Sequence, residues 1–341
     1  MLEFSRLSNQ SFEDCKRYVS NHRNSQIYHL PEWINIFKET YGYDHQYYLL
    51  YSSNREIVGV IPFIWIKGLF KNYLSTAPAS LLFNENFSCY EEVRDFLLRM
   101  IREYPTKDIE LLNPNFRIDD WKSNKDSVMI RKELPSDKSI LWREIGSKRR
   151  NMVRKTEKYN LKISIEETTD RNIESFYKIY SHNYRDLGTP VSSKKYFVSQ
   201  AKHLYNHIKI MFAFYDSLLI GVMWLLHFNN TMSIPEAASL RKYFHTGVND
   251  LMYYKAFEFA IDSKCSLFDM GRSQVGSGTY KFKSSWGDTR IDEYELLTFK
   301  EGDGINENKE KYRNLIKLWK KTPIPLTNLI GPWIRKHIRL D

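Results

Sequence analysis

Cysteine, glycine and long apolar runs are all scarce in this chain of 341 residues. The three cysteines, Cys15, Cys89 and Cys265, lie far apart without a CxxC pair. That excludes a disulfide framework and a cysteine zinc site, and fits a reducing, cytoplasmic compartment. The longest apolar runs, residues 57–66 and 218–228, hold ten and eleven residues. Neither reaches membrane-spanning length, and both read as buried strands. The opening MLEFSRLSNQ has no basic start followed by an apolar stretch, so no signal peptide is expected. His203 and His207 are four residues apart, but no Glu sits between them and no third ligand is apparent. No metal is expected from that pair.

Of the 14 glycines, four fall within residues 268–287, FDMGRSQVGSGTYKFKSSWG, interleaved with Arg272, Lys281 and Lys283. Glycine lets a backbone turn sharply or approach a ligand closely, and neighbouring cations suit a phosphate or a developing oxyanion. The spacing of Gly271, Gly276 and Ser277 mimics half a phosphate-binding loop, but the loop's Lys and a following helix are not expected here. Charge is also localised. The net charge is +10; residues 142–158 carry seven Lys/Arg against two Glu, and residues 305–341 carry nine against three acids. Such clusters point to an anionic partner: a phosphorylated substrate, tRNA or the inner membrane surface.

A repeat sets the architecture. LLYSSNREIVGVIPFIWI (49–66) aligns without gaps on MFAFYDSLLIGVMWLLHF (211–228), with Gly59-Val60 matching Gly221-Val222 at an offset of 162 residues. Each copy reads as strand, polar turn, strand. The surroundings repeat as well: a strand and two helices precede each hairpin (2–7, 10–22 and a helix opened by Pro31; 161–166, 171–186 and 194–205). Further extended chain, a helix and a short apolar strand follow (91–103 and 109–112; 248–263 and 267–270). The order β-α-α-β-β-β-α-β therefore occurs twice, predicting two α/β domains at 1–140 and 141–300 and a basic helical tail at 301–341.

That order resembles the GNAT (acyl-CoA N-acyltransferase) fold with mixed central sheets, and two such domains in tandem resemble the Fem family of non-ribosomal peptidyl-transferases and FemAB-like proteins. The resemblance rests on YHLPEWINIFKETYG (28–42), KRRNMVRKTEKYNL (148–161), YRDLGTPVSSKKYF (184–197), FDMGRS (268–273), YKFKSSWG (280–287) and LWKKTPIPLTNLIGP (318–332). It implies an enzyme that joins an activated acyl or aminoacyl group to an amine of a cell-envelope precursor, a nucleotide- or lipid-linked amino sugar or peptidoglycan stem peptide. It also implies that the lysine of the pair Phe282-Lys283 stabilises the tetrahedral oxyanion. The alternatives are an acyl-CoA-dependent amino-sugar N-acyltransferase of surface-polysaccharide biosynthesis, and a catalytically silent RNA- or membrane-binding protein that keeps the scaffold.

For the base that accepts the amine's proton, Glu236 in IPEAASL and Asp269 before Gly271 are the candidate carboxylates, with Asp186 near a helix end. Arg150, Arg154 and Lys158 are spaced to share one helical face flanked by Arg149 and Lys155, a candidate phosphate site. Arg185 and Arg272 each adjoin a glycine-bearing turn, and Tyr184, Ser273 and Lys281 lie in the blocks that carry the resemblance. No tightly bound cofactor is expected. The donor is aminoacyl-tRNA or acyl-CoA: LRKYFHTGVND (240–250) holds a single glycine, unlike the glycine-rich pyrophosphate cradle of acyl-CoA-using GNAT enzymes, while the helical arm of some Fem proteins is also missing. Trp319 and Trp333 among basic residues make the tail a candidate contact with an anionic membrane surface, against the plainer reading of helices packed on the second domain.

Overall fold

Both repeated segments form long antiparallel hairpins in the computed structural model, which describes residues 1–68, 72–103, 109–113, 116, 118, 121–298 and 313–337. The chain divides into two units, one of Met1–Lys125, Tyr294–Lys311 and Trp333–Asp341, the other of Asp126–Glu293 and Tyr312–Pro332. The first runs β1 (Glu3–Arg6), α1 (Phe12–Asn21), α2 (Glu32–Tyr41), β2 (Asp44–Tyr51), β3 (Ile57–Lys67), β4 (Asn72–Ser75), β5 (Leu82–Phe83), α3 (Tyr90–Glu103) and β6 (Ile109–Leu112). Then follow β7 (Lys122–Glu133), α4 (Lys138–Glu144), α5 (Ser147–Thr156), β8 (Lys162–Glu166), α6 (Asp170–Leu187), α7 (Lys194–His203), β9 (Ile208–Tyr215) and β10 (Leu218–Phe228). β11 (Thr231–Ser239), α8 (Val248–Asp262), β12 (Leu267–Gln274), α9 (Gly278–Lys283), β13 (Thr289–Thr298), α10 (Arg313–Lys321) and α11 (Ile324–Lys336) complete the chain.

In the first unit β1, β2, β3 and β4 pair antiparallel in that order, and β4 runs parallel to β6. In the second, β8, β9, β10 and β11 do the same, and β11 runs parallel to β12. The last strand of each unit comes from elsewhere in the chain. Leu296–Thr298 of β13 pair with β6, and β7 pairs with β12. That exchange moves the boundary from the expected residue 140 to Lys125/Asp126, because a strand belongs with the ladder that satisfies its backbone. The expected separate tail differs too: residues 313–332 belong to the second unit, whereas 299–312 and 338–341 lie outside the described residues.

Local chemistry accounts for the elements. Thr169 caps α6 and Ser193 caps α7 through side-chain oxygens that accept N–H groups of Asn172 and Tyr196. Gly42 and Gly188 end α2 and α6 in left-handed conformation. Successive residues of β10 face opposite ways, so Met223 joins the core with Met252 and Phe257 of α8 while Trp224 meets Phe176 of α6 and Phe197 of α7. Those helices therefore cover opposite faces of the second sheet. In the first unit, His29 of the tryptophan-centred block is fully buried between the Gln26 N–H and the Ser80 carbonyl, and burial pushes its pKa down to about 4. It is a neutral structural group.

The repeat extends to a local irregularity. The β2–β3 register slips at Val58, between Leu50↔Gly59 and Tyr51↔Ile57, and the β9–β10 register slips at Ile220, between Leu219↔Phe214 and Gly221↔Ala213. The glycine after each bulge accepts a close neighbour. A methyl group on Gly59 would lie 2.7 Å from Phe83 Cδ1 and 3.0 Å from the Leu82 carbonyl oxygen; on Gly221 it would meet Met252 Sδ at 2.6 Å. A thioether can move aside more easily than a ring backed by a strand. Gly59→Ala is therefore expected to cost about 1–3 kcal/mol in chemical denaturation, and Gly221→Ala measurably less.

Candidate active site

The second unit contains an opening in its sheet. β11 and β12 pair only over Thr231↔Leu267, Met232↔Phe268 and Ser233↔Asp269. Beyond that point both strands carry irregularities. β11 shifts against β10 between the pairs Leu226↔Ser233 and Trp224↔Glu236, where Pro235 has no N–H to donate. β12 shifts against β7 between Asp269↔Arg131 and Arg272↔Met129. Gly271, inside that shift, has φ +75°, which favours glycine.

Backbone groups at the opening are satisfied by side chains. Asp269 Oδ1 accepts the Gly271 N–H at 2.7 Å, and its Oδ2 accepts from Arg131 Nε at 3.0 Å. Arg131 donates in turn to Asp292 Oδ2 at 2.6 Å. The Arg272 and Gly271 carbonyls accept from Lys283 Nζ at 3.0 and 3.3 Å. Burial pushes Lys283 down to about 8, Asp269 opposes that shift, and Arg272 adds to it. An ammonium has three donors, and two carbonyls hold this one at a fixed point.

α9 aims Lys283. Ser277 Oγ accepts the Tyr280 N–H at 3.1 Å to start the helix, although no helix was expected after Ser277. Phe282 turns the other way, edge-on to Tyr253 at 5.0 Å and Trp286 at 5.9 Å. The Arg149 guanidinium lies 4.6 Å over the Phe282 ring and 2.5 Å from Asp250 Oδ1. Burial holds the Asp250 carboxyl above its ordinary range, against the pull of Arg149.

The structure sorts the predicted residues. Lys283, Asp269, Gly271 and Arg272 come together at the opening. Tyr184 OH donates to Glu236 Oε2, and Asn183 Nδ2 donates to the Ser239 carbonyl at 2.8 Å, so the last turns of α6 lie along β11 beyond the opening. Asp269, a candidate base, is held by Arg131 and the Gly271 amide. Arg149 is buried and paired. Arg150 donates to the carbonyls of Trp142, Arg143 and Ile145 and closes the end of α4.

The expected basic helical face is therefore not assembled. Arg154 packs 5.4 Å from the Trp142 ring, and α5 ends at Thr156, before Lys158. Arg185 is held by Asp186 at 2.7 Å and by the Thr322 carbonyl at 3.4 Å. Ser273 is buried with its Oγ unpaired, and Lys281 is exposed. Among the described residues no group of three metal-ligating side chains occurs. Sequence reasoning missed Arg131, Asp292 and Asp250. Arg131 had a faint signal, a charge inside the half-apolar stretch VMIRKEL; the two aspartates had none.

Removing Arg131 takes from the part-buried Asp269 its ion-pair partner. Arg131→Met is expected to cost about 3 kcal/mol in equilibrium unfolding, with Arg131→Lys recovering part of it. Full stability in the Met variant would contradict the assigned network.

Known proteins with this geometry supply the context. The family described as an acetyltransferase (GNAT) domain matches residues 146–284. The crystal structure of FemX covers 92% of this chain and 100% of its own, with TM-score 0.67 and 13% identity. The C-terminal domain of a putative lysylphosphatidylglycerol synthetase from Agrobacterium fabrum covers 89% and 96%, with TM-score 0.58 and 8% identity. The L-PGS structure from Bacillus licheniformis covers 92% and 98%, with TM-score 0.55 and 12% identity. No curated protein matches the sequence. Residues 146–284 match the acetyltransferase (GNAT) domain family, and these solved structures share the fold of the chain.

Proposed function

We propose that this protein transfers an activated acyl or aminoacyl group to an amine of a cell-envelope precursor, an amino sugar or a peptidoglycan stem peptide. The observation that carries this reading is Lys283, a part-buried ammonium fixed at the sheet opening by two backbone carbonyls. The resemblance to Fem peptidyl-transferases and the likeness to FemX and to a lysylphosphatidylglycerol synthetase domain support an envelope acceptor.

In the proposed reaction the acceptor nitrogen attacks the acyl carbon of an ester or thioester, forming a C–N bond. The carbonyl oxygen takes the negative charge, and the third Lys283 N–H donates to it. The tetrahedral intermediate collapses by expelling the donor's alkoxide or thiolate, which is protonated. We assign the proton lost by the amine to Glu236, oriented by the Tyr184 hydroxyl. A preorganised donor of this kind contributes because it needs no reorganisation when charge develops.

The start of α8 bears on the donor. A GNAT domain ordinarily takes acyl-CoA as substrate, and helix starts bind pyrophosphate through exposed N–H groups. Here that start is filled by protein. A methyl group on Gly247 would lie 3.0 Å from Thr156 Cγ2 and 3.2 Å from the Met152 carbonyl oxygen of α5, and Val248 and Asp250 are buried. This favours aminoacyl-tRNA as donor.

The deciding experiment offers purified protein an envelope-precursor extract with either tRNA charged with labelled amino acids or labelled acyl-CoA. Label is expected in an RNase-resistant product from the charged tRNA. Transfer from acyl-CoA alone would instead make this an amino-sugar N-acyltransferase, and tRNA binding without transfer would make it a silent scaffold. Lys283→Met is expected to lower turnover about 10²–10³-fold in a variant that still folds, read by an unchanged circular dichroism spectrum. In wild type, the contribution of the Lys283 cation should be complete well below pH 8 and be lost as pH rises through about 8, read as a falling alkaline limb that the Met variant lacks.

A further inference from the structure

The C-terminal helices leave apolar side chains in solvent. Their inward faces pack on the second unit. A methyl group on Gly188 would lie 2.6 Å from Ile316 Cγ2, and one on Gly331 would lie 3.0 Å from Val191 Cγ2 and 3.5 Å from Trp319. Thr327 is fully buried. The outward faces are different. Leu315 and Leu318 on α10 are 60% and 65% exposed, and Leu329 and Trp333 on α11 are 75% and 57% exposed, with Leu326 and Ile330 beside them. Positions 326, 329, 330 and 333 form one stripe of a helix. Of the fourteen large apolar side chains exposed among the described residues, six fall in these two helices. That is a cluster rather than the scattered exposure normal for a surface.

Charge identifies what covers it. Residues 313–337 carry Arg313, Lys317, Lys320, Lys321, Arg335 and Lys336 and no acidic residue. A second copy docking through the same face would set cation against cation. A soluble polyanion would meet the cations but leave the leucines in water. An anionic bilayer satisfies both, taking apolar side chains at the headgroup–acyl boundary and Lys and Arg at phosphate level, with Trp suited to that interface. We propose that the outward faces of α10 and α11 seat this protein on the surface of an anionic phospholipid bilayer. The inference does not rest on the proposed reaction, and no helix among the described residues is long and apolar enough to cross a membrane.

Sedimentation of the full chain with vesicles tests it, using mixed phosphatidylglycerol and phosphatidylcholine against phosphatidylcholine alone. The protein is expected to pellet with the mixed vesicles, poorly with the neutral ones, and less as salt rises. A variant joining Leu318→Glu and Leu329→Glu should bind at least about tenfold more weakly. Joining Lys317→Ala and Lys321→Ala should weaken binding about fivefold per charge removed. All four side chains are exposed, so both variants should melt with wild type. Failure to pellet with mixed vesicles, equal pelleting with both kinds, or wild-type binding by both variants would overturn the proposal. A glutamate variant that changed oligomeric state in sedimentation velocity, with vesicle binding unchanged, would assign the face to a second copy instead.

Discussion

The Arg131–Asp269 ion pair makes the sheet opening tolerable. Parting two strands orphans backbone N–H and C=O groups, each of which must find a partner or be hydrated. Here the Gly271 N–H goes to Asp269, the Gly271 and Arg272 carbonyls go to Lys283, and the facing strand places a proline where a donor would be stranded. Arg131, steadied by Asp292, holds Asp269 in place. The groups that repair the opening are the same groups on which the proposed chemistry rests. A cation held by carbonyls and partly stripped of water has a lowered pKa and a fixed direction at once.

The first unit shows the same scaffold without that device. There β4 and β6 pair over Leu74↔Ile109 and Ser75↔Glu110, the counterpart of β11 and β12. Thr76 then bridges the two strands: its N–H reaches the Glu110 carbonyl at 3.1 Å and its Oγ1 accepts the Leu112 N–H at 2.9 Å. A side chain has taken over the ladder where the second unit opens. Duplication supplied two equivalent strand pairs, and among the described residues the fixed cation stands beside the second.

The duplicated hairpin was legible in the sequence because it is written in near neighbours. Strand, turn and bulge glycine recur at one offset, and caps such as Ser193 and Gly188 act within a few residues. Lys283 stands out through its block, whereas nothing in the sequence signals that Tyr184 and Glu236 meet. What could not be read was the partner of each charge. Arg150, Arg154 and Lys158 share one face by spacing, with Arg149 beside it, yet Arg149 pairs with Asp250, Arg150 closes the end of α4 and Arg154 packs on Trp142. Helical spacing places side chains on a face but does not reveal whether that face meets solvent or another helix. The boundary at 140 failed for a related reason, because β7 hydrogen-bonds to a strand more than a hundred residues onward.

The borrowed strands also bear on how the chain is made. Among the described residues, β6, at residues 109–112, takes its outer partner from residues 296–298. During synthesis from the N-terminus, the first unit's helices and its first four strands are available long before that partner leaves the ribosome. Until then one edge of the sheet presents unpaired backbone, the template on which chains add to one another. The nascent protein thus carries a sticky flank through most of its translation, and the return of β13 seals it.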